Sequence, residues 1–142
     1  MFKTRIAALL MAVSAAALPV TAAWSAVEPR GEQSMIRAWS AVAGLSARQV
    51  IDLAESLPAG VSDAGTPWCD ATSEIAGALG SEFGERLVLS KQGGLHLWGS
   101  AEMGTWTMLL TRADQTSCVV ASGTGYHDST DPAAIFRQAG LN

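Results

Sequence analysis

The sequence has 142 residues, 15% of them charged, and a formal net charge of −4. That length allows one domain with a modest core. An acidic chain without a Lys/Arg cluster excludes nucleic acid and anionic membrane surfaces as partners, because both demand positive charge.

The first residues point to a compartment. Met1–Arg5 carries Lys3 and Arg5 and no acid, and Ile6–Val20 is an apolar run broken only by Ser14 and Pro19. The small residues Thr21, Ala22 and Ala23 follow. A charged start, an apolar middle and a small-residue exit make a cleavable secretory signal. The run falls short of the ~20 residues a bilayer-spanning helix needs, so no integral membrane anchor is expected after cleavage. A cut after Ala22 or Ala23 puts small side chains at the peptidase's two selective positions, whereas a cut after Ala26 puts Trp24 there. No Cys lies near the cut, which argues against a lipid anchor. The expected organisation is a signal over 1–22, a flexible leader over 23–33 and a single α+β domain over 34–142, working in the periplasm or secreted. Losing Lys3 and Arg5 takes the net charge from −4 to −6.

Within the domain, Met35, Ile36, Trp39, Val42 and Ala43 recur at helical spacing and predict a short helix ending at Gly44. Ser46 opens a second, where Gln49 completes a capping box. Val50, Leu53, Ala54 and Leu57 form its apolar stripe, and Pro58 with Gly60 stops it. Pro58–Trp68 reads as a loop. Asp70 or Thr72 can cap a third helix with Ile75, Leu79 and Phe83 inward, ending near Gly84.

From Arg86 the pattern changes to strands. Arg86–Gln92, Leu95–Ser100, Thr105–Arg112 and Ser117–Gly123 are β-type runs with short connections, predicting a four-stranded antiparallel meander. A bulged loop at Gly93-Gly94 pairs Leu89 with Leu97 and Leu87 with Gly99 and sets Ser90 and His96 together on the other face. Asp131-Pro132 then caps a short helix over Ala133–Ala139, closed by Gly140. The expected fold is N-terminal helices packed on one face of the meander, a short C-terminal helix and one disulfide.

Two cysteines, Cys69 and Cys118, are too far apart for a CxxC redox pair. In an oxidising compartment they read as a structural disulfide; two free thiols or half a metal site are the alternatives. Closing a loop of about 50 residues stabilises the fold by roughly 4 kcal/mol on chain-entropy grounds. Cys118 is expected to face the helix layer, where Cys69 can reach it.

No constellation carries catalytic chemistry. His127, Asp128 and Ser122 lack a GxSxG elbow. His96 and His127 with two half-cystines do not make a zinc site, and Gly123-Thr124-Gly125 opens no good helix for a phosphate cradle. Glu82, Glu85 and Glu102 show no acid–base pairing pattern. No cofactor or metal is expected. Five tryptophans are more telling. Trp39 suits a helix core, while Trp98 beside His96 on the second sheet face suits an interaction surface unless another element covers it.

Two resemblances add to this reading. Cys69 before a helix, the strand Gly104–Thr107 (GTWT) and the strand Ser117–Gly123 (SCxxASG) resemble a group of small, uncharacterised exported proteins of proteobacteria. The likeness runs from Cys69 to Tyr126 and implies an α+β fold and a Cys69–Cys118 bridge, with no activity to carry over. Ser122, Gly123 and Tyr126 also resemble the SGxxY loop of periplasmic lysozyme inhibitors. The sequence-level expectation is an exported non-enzymatic binding or accessory domain acting on a protein or envelope component through His96, Trp98, Ser122 or Tyr126. The alternative is an inhibitor of an extracellular hydrolase through the Ser122–Tyr126 loop.

Overall fold

The structure, a computed structural model, describes residues 37–58 and 63–141. The expected signal over 1–22 and leader over 23–33, Met35 and Ile36 of the expected first helix, and Gly60 lie outside the described residues. In chain order the elements are β1 (Arg37–Ser40), α1 (Ala47–Ser56), β2 (Cys69–Ala71), α2 (Thr72–Glu82), β3 (Arg86–Ser90), β4 (Leu95–Ser100), β5 (Thr105–Thr111), β6 (Thr116–Thr124) and α3 (Pro132–Gln138).

The sheet has six strands, not four. Its order is β1-β6-β5-β4-β3, with β2 also on β6. The runs read as a meander supply β3 to β6 as consecutive neighbours. The addition lies on the far side of β6, where two short segments share one edge. β1 pairs antiparallel from Arg37 opposite Thr124 to Ser40 opposite Ala121, and β2 pairs from Cys69 opposite Cys118 to Ala71 opposite Thr116. Between them the chain leaves the edge to make α1.

The helix expected to end at Gly44 is therefore a correction: Arg37–Ser40 is a strand. A helix that short gains few hydrogen bonds against a costly nucleus. β6 offers instead a row of unpaired backbone groups that needs covering. Gly123 makes the approach possible, since a Cβ there would collide with the Arg37 carbonyl oxygen and the Trp106 ring.

Helices lie on both faces of the sheet, a second correction. Val50 and Ala54 of α1 and Ile135 and Phe136 of α3 pack with Leu97, Met108, Leu110, Cys118 and Val120. Ile75 and Leu79 of α2 pack with Leu109, Val119 and Trp98, the alternate residues of the same strands. Alternate residues point to opposite faces, so α2 sits across the sheet from α1 and α3. The reason is written in β5, where Met108, Leu109 and Leu110 are buried in succession. A strand apolar on both faces needs cover on both.

Local signals explain the helix ends. The Ser46 hydroxyl accepts from the Gln49 amide at 3.3 Å and Gln49 Oε1 accepts from the Ser46 amide at 2.8 Å, the expected capping box. The far end of α1 is closed by Arg112, whose guanidinium donates to the carbonyls of Leu57 at 2.5 Å and Ala54 at 3.4 Å. Neither Asp70 nor Thr72 caps α2: Ala71 is the N-cap, and the Thr72 amide and hydroxyl both donate to the Gln115 carbonyl. Asp131 caps α3 by accepting from the Ala133 amide at 3.0 Å, with Pro132 in the first turn.

Cys69 and Cys118 form a disulfide between directly opposite residues, with Cα atoms 4.0 Å apart and a sequence separation of 49. Both are buried in the core shared with α1. The bridge thus fastens β2 to β6 on one face, while α2, starting three residues later, crosses to the other. In the β3–β4 hairpin, Leu89 opposes Leu97 and Ser90 opposes His96, in the expected register. Leu87 does not oppose Gly99. A bulge between Leu87 and Leu89 sets it opposite Trp98, where it is 54% exposed. No described helix is long and apolar enough to cross a membrane.

Candidate functional site

On the α2 face, a cleft of about 270 Å³ opens between the end of α2 and the divided edge of the sheet. Each wall has a traceable cause. Trp39 opposes Ser122 in the β1–β6 pairing, and Ser122 lines the cleft with it. Trp68 immediately precedes the half-cystine, and its carbonyl accepts from the Val119 amide at 2.9 Å. Phe83 caps α2, and Gly84, at φ 61°, turns the chain out of the helix. Trp39, Trp68 and Phe83 are 50%, 41% and 41% exposed, a concentration of unburied aromatic surface on one cleft.

Glu85 also lines the cleft. Its amide folds back to the Leu79 carbonyl at 3.0 Å. The residue is 2% exposed. Oε1 accepts from the Thr105 hydroxyl at 2.9 Å, and Oε2 has no hydrogen-bond partner. Among the described residues no cation pairs with it. Burial pushes its pKa above 4.5, partly offset by the hydroxyls of Thr105 and Thr107. Among the described residues, no histidine, cysteine, lysine, arginine or second acid lines the cleft. A second hollow, beside Tyr126, is larger at about 490 Å³ but walled by exposed Arg86, Glu102 and Asp128.

The residues singled out from sequence fall in different places. Ser122 reaches the cleft. Trp98 is half-buried against Ile75 and Leu79, so α2 covers that stretch of the sheet's second face. His96 is half-buried, its Nδ1 within 2.8 Å of the Ser90 hydroxyl. Tyr126 packs over Gly99 on the opposite face from Ser122, against the α1–α3 core; a Cβ at Gly99 would meet its ring at 2.8 Å. Ser122 and Tyr126 are therefore not brought together, and Tyr126 does not project as an inserting loop requires. His127 Nδ1 lies 3.0 Å from the Ser129 hydroxyl in the exposed loop beyond β6.

Sequence reasoning missed Glu85 as a site residue, along with Trp39 and Trp68. Glu85 looked like one of several surface acids. Its one local signal is the Gly84 helix stop just before a strand, which forces a sharp re-entry toward the sheet.

No protein-family model matches the chain, and no curated protein or solved structure matches it. The cleft's own chemistry is a buried carboxyl group with one unpaired acceptor among the described residues and partly exposed aromatic walls.

Proposed function

We propose that this chain is an exported, non-enzymatic binding domain whose ligand sits in the cleft between α2 and the divided sheet edge. One observation carries the reading: three partly exposed aromatic side chains line one cleft with a buried carboxyl group that has no counter-charge among the described residues. Buried polar groups are normally satisfied, and an orphan acceptor in a native fold calls for an explanation. Concave, mostly apolar pockets with one or two aimed polar groups are the usual form of a ligand site. Burying half-exposed indoles under a ligand returns about 25 cal/mol for each Å² removed from water. The export half of the reading is supported by the N-terminal charge and hydropathy pattern and by a disulfide, which persists in oxidising compartments.

The test is amide and indole NMR mapping of the mature protein titrated with a panel of small amphipathic compounds. Shifts should cluster at Trp39, Trp68 and Thr107. Trp39→Ala and Trp68→Ala should each weaken binding by roughly tenfold, as loss of an aromatic anchor does, while the variants stay folded. Shifts confined to the hollow beside Tyr126 sink the proposal.

A further inference from the structure

The cleft's charge balance says what kind of ligand it takes, given that it is a binding site at all. A carboxyl group removed from water carries a desolvation cost that a fold ordinarily meets with a partner cation or a full set of hydrogen-bond donors. The Thr105 hydroxyl donates to Oε1 and the Thr107 hydroxyl also favours the carboxylate, while Oε2 is buried and has no hydrogen-bond partner among the described residues. The charged residues on the surrounding elements do not help it: Arg37, Asp70, Glu74, Glu82 and Arg86 are all exposed and none lines the cleft. The missing partner is a positive charge bearing an N–H or O–H donor.

The walls narrow the class further. Aromatic faces attract cations through their quadrupole, most strongly for tryptophan and most when water is excluded. They repel anions for the same reason, and Glu85 adds to that repulsion. A divalent metal is a poor match, because calcium takes six to eight oxygen ligands. Among the described residues no group of three metal-ligating side chains gathers. The volume, about 270 Å³, lies just below the ~300–1,000 Å³ of ordinary ligand pockets and suits one small molecule better than a polymer.

We infer that the cleft binds a protonated amine carried on an apolar stem, its ammonium paired with the Glu85 carboxylate and its stem lying against Trp39, Trp68 and Phe83. The amine supplies the counter-charge that no described residue provides, and the stem covers the indoles. The ionic contribution acts on the ammonium end and the aromatic walls on the stem, so a neutral molecule of equal length keeps the apolar contact and loses the rest. Glu85 must be ionised to bind, so acidification weakens the amine and not its neutral counterpart.

The experiment compares n-hexylamine with n-hexanol on the full mature protein, by tryptophan fluorescence and calorimetry. The amine should bind roughly tenfold or more tightly than the alcohol at about pH 7. Glu85→Gln, checked for folding by circular dichroism, should erase that preference and leave alcohol binding intact. Equal binding of the two probes to the unaltered protein overturns the amine inference without the variant, and leaves the cleft standing as a binding site. A preference that survives Glu85→Gln overturns it too. If neither probe perturbs Trp39 or Trp68, the binding reading falls along with it.

Discussion

Glu85 is kept in its place against the fold's own interest, and that has a measurable consequence. Its folded pKa is raised above the 4.5 of an ordinary carboxyl group by burial. Between those two values the folded state holds the proton and the unfolded state has lost it. Stability therefore falls as pH rises through that window, and the full penalty persists above it. Below 4.5 both states are protonated and the penalty is gone. Glu85→Gln keeps an acceptor for Thr105 and removes the charge. It should make the ligand-free protein more resistant to urea at about pH 7, with the gap closing as pH drops toward the ordinary carboxyl range. Asp114 shifts the other way, lowered chiefly by the Thr116 amide, so its stabilising contribution is lost on acidification. It is present in both proteins and cancels in the difference. A variant less stable than the parent at neutral pH would show that the carboxylate has a structural partner. Gains of this kind on deleting a buried charge are typical of residues retained for function.

At the scale of elements, what was legible in the sequence was local. α1 shows this within a single helix. Its start was readable because Ser46 and Gln49 are three residues apart, whereas its end is closed by Arg112, which is 55 residues from Leu57. Ser46→Ala should cost about 1 kcal/mol, as N-cap losses do. Arg112→Ala should cost about 1–2 kcal/mol, because it strips the last carbonyls of their donor and removes a cation from the helix C-terminus. Arg112→Lys should recover only part of that, since Nη1 serves both carbonyls while Nη2 pairs with Asp114 at 3.1 Å, and an ammonium has no second nitrogen to do both. Urea midpoints at constant m-value decide all three. The same division explains the other outcomes. The four runs from 86 to 123 could be found by their β-type composition and short connections, and the disulfide by the expected export and the cysteine count. β1 was misread because its partner, β6, lies more than 80 residues away and its own four residues carry no strand signal. The second helix layer was present in Met108-Leu109-Leu110, yet a run of three apolar residues does not say what covers each side. The bulge between Leu87 and Leu89 has no local sequence mark.

At the scale of the whole molecule, the cleft depends on a discontinuous edge. Trp39 and Trp68 belong to two short segments laid end to end along β6, and each wall is only as firm as its segment's hold. β1 has four paired residues and the Gly123 contact; β2 has three, and the covalent bridge. With a sequence separation of 49 between the cysteines, the bridge should contribute about 4 kcal/mol by restricting the unfolded chain. That is a large share of the ~5–15 kcal/mol typical of a small domain. Replacing both cysteines by alanine tests more than this sum. Trp68 directly precedes Cys69, so release of β2 frees one wall of the cleft even where the rest of the sheet persists. The double variant should lose about 3–4 kcal/mol in urea unfolding. At a temperature where circular dichroism still shows it folded, it should bind n-hexylamine roughly tenfold more weakly, with the loss concentrated in the Trp68 signal. A variant that loses the stability but keeps the affinity assigns the bridge to the fold alone. It would then be the hydrogen bond from the Val119 amide to the Trp68 carbonyl that holds the wall.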